Sequence, residues 1–197
     1  RAIISAVNAG AERIACIVNA IEKEVSGYLR SRVWPVPLDL VVKTTPSSME
    51  SLFNLAPFLD EPFLLLTVDA VYPPEVLKDF VHKAKLIQGD GALAITGFVD
   101  DEKPLWVKIN EKKRIIKIGE GACPTPYITA GFYYLAPCIF DLINEARERR
   151  LKALREFLAL LIQRGYNIYG IRVSKVIDVD YPEDIKKAEA FIQERSK

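Results

Sequence analysis

Cysteine is scarce in this 197-residue chain: Cys16, Cys123 and Cys138 are an odd number at wide spacing, with no C-x-x-C pair. That excludes a disulfide scaffold and the paired thiolates of a structural zinc site or a dithiol redox motif. The three are expected to be reduced core thiols. Histidine is scarcer still: the lone His82 lies in a lysine-flanked helical stretch without a Ser or Cys motif and is expected to be solvated. An excess of either charge is missing too, with 27 Lys and Arg against 26 Asp and Glu and a formal net charge of +1. No chain-wide footprint for nucleic acid or anionic lipid exists, so a polyanion must be held by a local site. The longest apolar run, Phe63 to Val68 with its flanks, falls far short of the ~20 residues a membrane span needs. With no charged-then-apolar leader, a cytoplasmic location is expected, with neither membrane nor nucleic acid as partner.

What the chain has in quantity is apolar residues, 50% of the total, beside only 10 Gly and 12 Pro. Disorder and collagen-like repeats are excluded. A chain of this length buries roughly 70% of its unfolded surface in one core, and residues 1–197 are expected to form a single domain. Arg1 runs directly into an amphipathic stretch without an initiator Met or a preceding strand, so the start of the domain is expected to be missing from the sequence.

Short β-rich runs alternate with longer segments of 3.6 period, which predicts a three-layer α/β fold. Helices are expected at Ala2 to Ala9, closed by Gly10, at Glu22 to Arg32 and at Met49 to Phe58. Ser47 opens the last of these as S-S-M-E, a capping box in which Glu50 reaches back to the cap. Strands are expected at Arg13 to Asn19, at Leu38 to Lys43 and in FLLLTVD, Phe63 to Asp69. FLLLTVD, as the most hydrophobic, is expected at the centre of the sheet, buried on both faces. Pro73 and Pro74 open a helix that turns Val76, Leu77, Phe80, Val81, Ala84 and Ile87 to one side. Ala92 to Phe98, Leu105 to Ile109, Arg114 to Ile118 and Tyr127 to Leu135 are four strands without intervening helices. They imply an antiparallel or mixed extension on a mostly parallel sheet. Two helices or a bend are expected around the charged stretch Glu145 to Lys152, its charges solvated, strands follow at Ile168 to Val173 and Val176 to Val179, and Pro182 to Glu194 closes the chain with Ile185, Ala188 and Ile192 inward.

Two carboxylates fall at strand ends, where open α/β sheets bind ligands. Asp69 terminates LLLTVD and is either a metal-ligating carboxylate or the cap of the next turn. Asp180 ends D-V-D ahead of Tyr181, Pro182, Glu183 and Asp184, a pattern that ordinary helix capping and dipole complementation also explain. Side by side, the two would suit Mg²⁺, which takes one or two carboxylates plus substrate phosphates.

The order LLLTVDAV, then YITAGFYYLAP, then DVDYPEDIKKAEAFI resembles the sugar-1-phosphate nucleotidylyltransferases, and is similar to the molybdenum-cofactor nucleotidyltransferases of the same fold group. The resemblance spans nearly the whole chain, with Tyr181 in place of the family's Thr in D-T-P-E-D-L. It implies a Rossmann-like mixed sheet of the nucleotide-diphospho-sugar transferase type. It also implies a Mg²⁺-dependent enzyme joining a nucleoside triphosphate to a sugar-1-phosphate or similar phosphorylated acceptor, with pyrophosphate released. The metal-binding roles map onto Asp69 and Asp180, with Asp178 a second choice. Lys43, Thr44, Ser47 and Ser48 of K-T-T-P-S-S-M-E map onto the nucleotide site. Thr129, where the family has Asn, and Gly131 map onto the sugar site; Lys103, a further acceptor-side candidate, and Lys117 either face phosphate or are ordinary surface lysines. The family's Gly-rich nucleotide loop, G-G-x-G-x-R after a first strand, has no counterpart in these residues. Its absence keeps open a non-catalytic nucleotide- or nucleotide-sugar-binding module. A glycosyltransferase, suggested by D-V-D, is a weaker alternative because T-V-D-A-V holds the place of its D-x-D motif.

Overall fold

In a computed structural model of the chain, residues 1–98, 104–179 and 182–194 are described. The helices are α1 (Ala2–Asn8), α2 (Lys23–Ser31), α3 (Ser48–Leu55), α4 (Pro74–Lys85), α5 (Ile143–Glu148), α6 (Leu154–Gln163) and α7 (Pro182–Glu194). The strands are β1 (Ile14–Val18), β2 (Leu38–Val42), β3 (Phe63–Leu66), β4 (Ala70–Val71), β5 (Gly91–Thr96), β6 (Val107–Ile109), β7 (Ile115–Ile118), β8 (Ile128–Leu135), β9 (Ile168–Arg172) and β10 (Ile177–Asp178).

Four strands pair in the order β3-β8-β5-β9, with β8 antiparallel to both neighbours and β5 parallel to β9. β3, β5 and β9 therefore point one way, and β8 is the antiparallel insertion that the helix-free stretch implied. β1 and β2 form a separate parallel pair, β6 and β7 an antiparallel ribbon, and β4 pairs antiparallel with β10. The side-chain alternation of β5 shows the three layers directly: Leu93 and Ile95 join a core with α3 and α6, while Ala92 and Ala94 join another with α4. The α4 residues Val76, Leu77, Phe80, Val81 and Ala84 are buried as their spacing predicts.

Local signals set several boundaries. Gly10, at φ +94°, ends α1 in a Schellman arrangement, its N–H on the Val7 carbonyl (2.9 Å) and that of Ala11 on the Ala6 carbonyl (3.0 Å). Two helices form there as expected, but α5 takes in Glu145 to Glu148 of the charged stretch and the break before α6 falls only after it, and α7 keeps its predicted bounds.

Four expectations need correction. FLLLTVD is not central: among the described residues β3 is a terminal strand of its sheet with only one edge paired, and it is half-buried along its length. Both its faces are nevertheless covered, Phe63 and Leu65 by one core and Leu64 and Leu66 by the other. The capping box is half formed, because the Glu50 carboxylate is bonded by Arg147 instead of reaching back (Nε 3.0 Å, Nη2 2.8 Å). In α7, Ile185 is 49% exposed and Phe191 is buried with Ala188 against Ile177, since the larger ring takes the inward seat. The three cysteines are free thiols, but Cys123 is exposed, and Cys16 and Cys138 are half-buried.

Candidate active site

β3 stops at Leu66, and the next three residues turn out of the sheet. Thr67 holds that exit: its N–H and its Oγ1 both donate to the Gly131 carbonyl, at 3.1 and 3.0 Å. Gly131 has φ +78° at the bulge where the β5–β8 register shifts. A side chain is strained in that left-handed conformation and glycine is not. Val68 then projects into solvent, and Asp69 turns back with its Oδ1 buried and, among the described residues, without a hydrogen-bond partner. Beyond it, Tyr72 packs on Phe132 with ring centroids 4.8 Å apart, and burial pushes its phenol up to about 12.

The Asp69 carbonyl accepts the Val179 N–H at 3.1 Å, continuing a ladder in which Ala70 is registered with Asp178. Two acidic strand ends, far apart in sequence, thus meet at one sheet edge through their backbones. Asp180 follows Val179 directly but lies outside the described residues, as does Lys103; the Asp178 side chain is likewise not described.

Asp69, Thr129, Gly131 and Ser48 all line one cavity of about 1150 Å³. Lys43, Ser47 and Ser48 line a second of about 310 Å³, and Ile17, Ser48 and Ser51 belong to both. The nucleotide-side candidates Lys43, Ser47 and Ser48 and the sugar-side candidates Thr129 and Gly131 therefore occupy adjoining cavities, while Thr44 lines neither. Their side chains are held by neighbours: Lys43 Nζ donates to Asn54 Oδ1 (2.7 Å), Thr44 Oγ1 to Asn19 Oδ1 (2.6 Å), and the Glu50 N–H to Ser47 Oγ (3.3 Å). The last is a helix cap, which satisfies one N–H of the first turn of α3. Arg147 beside Glu50 holds that carboxyl below its usual range. Lys117 is exposed on β7 and His82 is exposed on α4, the latter as expected.

Sequence reasoning missed Asn19, Thr45 and Ser51, all on the smaller cavity, with Thr45 Oγ1 and Ser51 Oγ 2.6 Å apart. Asn19 follows β1 immediately, so the strand-end rule that picked out Asp69 points to it as well. Among the described residues, no group of three or more His, Cys, Asp or Glu side chains is placed to hold a metal ion. The chemistry at Asp69 fits one all the same. A buried carboxylate oxygen without a donor is costly, and a hard cation sharing it with substrate phosphates is one way to satisfy it.

Comparison with known proteins follows the same line. The chain is 24% identical over 198 residues to the UTP–glucose-1-phosphate uridylyltransferase AglF of Haloferax volcanii, covering 96% of this chain and 81% of that one. The chain is similar in sequence and fold to the sugar-1-phosphate nucleotidylyltransferases. Among solved structures, the inositol-1-phosphate CTP transferase of T. maritima matches with a TM-score of 0.78 at 20% identity, over 98% of this chain and 83% of that one. A UDP-glucose pyrophosphorylase solved with UDP-glucose matches with a TM-score of 0.78 at 18% identity, over 98% and 85%. The resemblance seen in LLLTVDAV and DVDYPEDI is thereby borne out, as is the fold it implied. No protein-family profile matches the chain.

Proposed function

We propose that this chain is a Mg²⁺-dependent nucleotidyltransferase: a phosphate oxygen of a sugar-1-phosphate or similar acceptor attacks the α-phosphorus of a nucleoside triphosphate, and pyrophosphate leaves in line. The observation that carries the proposal is the hydrogen bond from the Val179 N–H to the Asp69 carbonyl, which brings the D-V-D segment beside a carboxylate whose buried Oδ1 is unpartnered among the described residues. It supports a site in which Asp69 and Asp180 hold Mg²⁺. When bound, the ion would supply neutralisation of phosphate charge.

The chain's own groups have positioning work. The Lys43 ammonium, now on Asn54, is the cation available to a nucleotide phosphate in the smaller cavity. The start of α3, with Ser47 and Ser48, adds N–H groups and the positive end of the helix dipole. In the larger cavity, the Thr129 hydroxyl and the open backbone at Gly131 are the acceptor contacts, and Lys103 is assigned to the acceptor phosphate. Thr67 keeps Asp69 in place through its two bonds to the Gly131 carbonyl. This chemistry is positioning and charge neutralisation, and it needs neither a nucleophilic side chain nor a general base.

The reading predicts pyrophosphate release for at least one pair when the four common nucleoside triphosphates are combined with a panel of sugar-1-phosphates, including glucose-1-phosphate, and inositol-1-phosphate in Mg²⁺ buffer. Silence for every pair overturns it. Nucleotide binding without turnover in the same samples would favour a non-catalytic binding module.

A further inference from the structure

We infer, resting on the nucleotidyltransferase reading above, that Asn54 is a positioning residue: it holds the Lys43 ammonium at the smaller cavity with its charge intact for the phosphates of a nucleotide. Asn54 is half-buried near the end of α3 and lines neither cavity. Lys43 does line the smaller one, and among the described residues it is the only charged side chain there. Where that single charge points therefore decides how an anion is held.

Asparagine is a poor residue for a helix because its amide competes for backbone groups, and here both halves of that amide are engaged. Its Nδ2 donates to the Glu50 carbonyl one turn back (2.7 Å), and its Oδ1 accepts from Lys43 Nζ (2.7 Å). An ammonium can only donate and a carbonyl can only accept, so these two partners admit a single orientation of the amide. The Lys43 backbone is fixed as well, its N–H bonded to the Val18 carbonyl (2.9 Å) at the end of the β1–β2 ladder. With both ends tied, a long stem that would otherwise sample many rotamers is held in one. An ammonium has three N–H donors; Asn54 takes one, and the others are left for phosphate oxygens.

That the partner is neutral matters as much as that it is close. A carboxylate at position 54 would orient Lys43 equally well but cancel the charge that attracts a phosphate. The carboxylate that does lie nearby is kept occupied. Glu50, one turn before Asn54 on α3, accepts two bonds from Arg147 (Nε 3.0 Å, Nη2 2.8 Å), and Arg147 lies over the Phe53 ring, 5.7 Å from its centroid. Bonding to Arg147 first, and the Lys43 charge to a smaller extent, lower the Glu50 carboxyl. Glu50 is thus near enough to feel Lys43 while its hydrogen bonds go to Arg147. α3 separates the two tasks: Glu50 serves α5, and Asn54 serves Lys43.

The test titrates each of the four common nucleoside triphosphates into the whole chain by calorimetry in Mg²⁺ buffer, for the wild type, Asn54→Leu, Asn54→Asp, Lys43→Met and the combination of Asn54→Leu with Lys43→Met. Asn54→Leu is expected to raise the Kd of a bound triphosphate about fivefold, the cost of ordering one long side chain anew, and Lys43→Met roughly tenfold or more. The combined variant is expected to bind no more weakly than Lys43→Met alone, because Asn54 acts through Lys43. Asn54→Asp is expected to weaken binding at least as much as Asn54→Leu while leaving the melting temperature unchanged or raised, since it exchanges a neutral contact for an ion pair. An asparagine with a structural role alone would instead give additive losses and a lower melting temperature for both substitutions. Additive losses, or a Kd that neither Asn54 substitution moves, would overturn the inference and leave nucleotide binding standing. A wild type that binds none of the triphosphates would overturn the nucleotide reading and the inference with it.

Discussion

β3 and β5 belong to one sheet and are both apolar, yet every residue of β5 is buried and every residue of β3 is only half-buried. Composition does not separate them, since Phe-Leu-Leu-Leu is richer in large side chains than Gly-Ala-Leu-Ala-Ile-Thr. Neighbours do. β5 lies between β8 and β9, and β3 has β8 on one side and a cavity on the other. Hydrophobicity dictates that helices cover both faces of a strand, while burial to completion also requires both edges to be paired. The unpaired edge of β3 and the turn at its end are where the candidate site lies.

That contrast can be broken most forcefully at the turn. Asp69→Asn is expected to lower pyrophosphate release on the order of a hundredfold or more while leaving the melting temperature unchanged or raised, because the buried Oδ1 has no partner to lose. Activity and denaturation measured on one preparation decide it, and a large fall in stability with activity retained contradicts the assignment. Next in size is a matched pair of truncations. Leu93→Ala, at a position with 0% exposure, is expected to cost ~2–5 kcal/mol in urea unfolding, and Leu65→Ala on half-buried β3 less than half as much. Equal costs would show β3 to be as deeply held as β5. The smallest effect belongs to the far side of the α3 layer. Arg147 lowers the Glu50 carboxyl from its ordinary value of 4.5, so the pair's contribution is complete above that value and is lost as the pH falls through the depressed one. Glu50→Gln is expected to cost at most about 1 kcal/mol at neutral pH and nothing once the pH is below both values. A cost that persists in acid would assign Glu50 a role other than its pairing with Arg147.

Elements marked by local chemistry were legible in the sequence. Gly10 ends α1, Ser47 caps α3, Pro74 opens α4, and α7 runs from Pro182 to Glu194 as read. Each of these depends on residues within one turn of the boundary. What failed depends on partners remote in sequence. Glu50 answers to Arg147 and not to its own cap, β3 lacks a neighbour its composition seemed to demand, and Ile185 yields the inward seat to Phe191 because of what Ile177 offers. The site divides in the same way. Asp69, Thr129 and Gly131 were each found from a strand-end or family motif and do share a cavity. Asn19 was passed over because an Asn at a strand end carries no charge to explain.

The bond between Val179 and Asp69 also has a consequence for how the molecule is made. The main sheet is complete at Arg172, and β10 and α7 come after it, held by a separate small cluster of Ile177, Ala188 and Phe191. On the ribosome, where chains emerge N-terminus first, the strands of that sheet emerge before the β10 segment that bonds to Asp69. A chain clipped by a protease after β9 would therefore keep the strands of the main sheet and lose the backbone partner of Asp69.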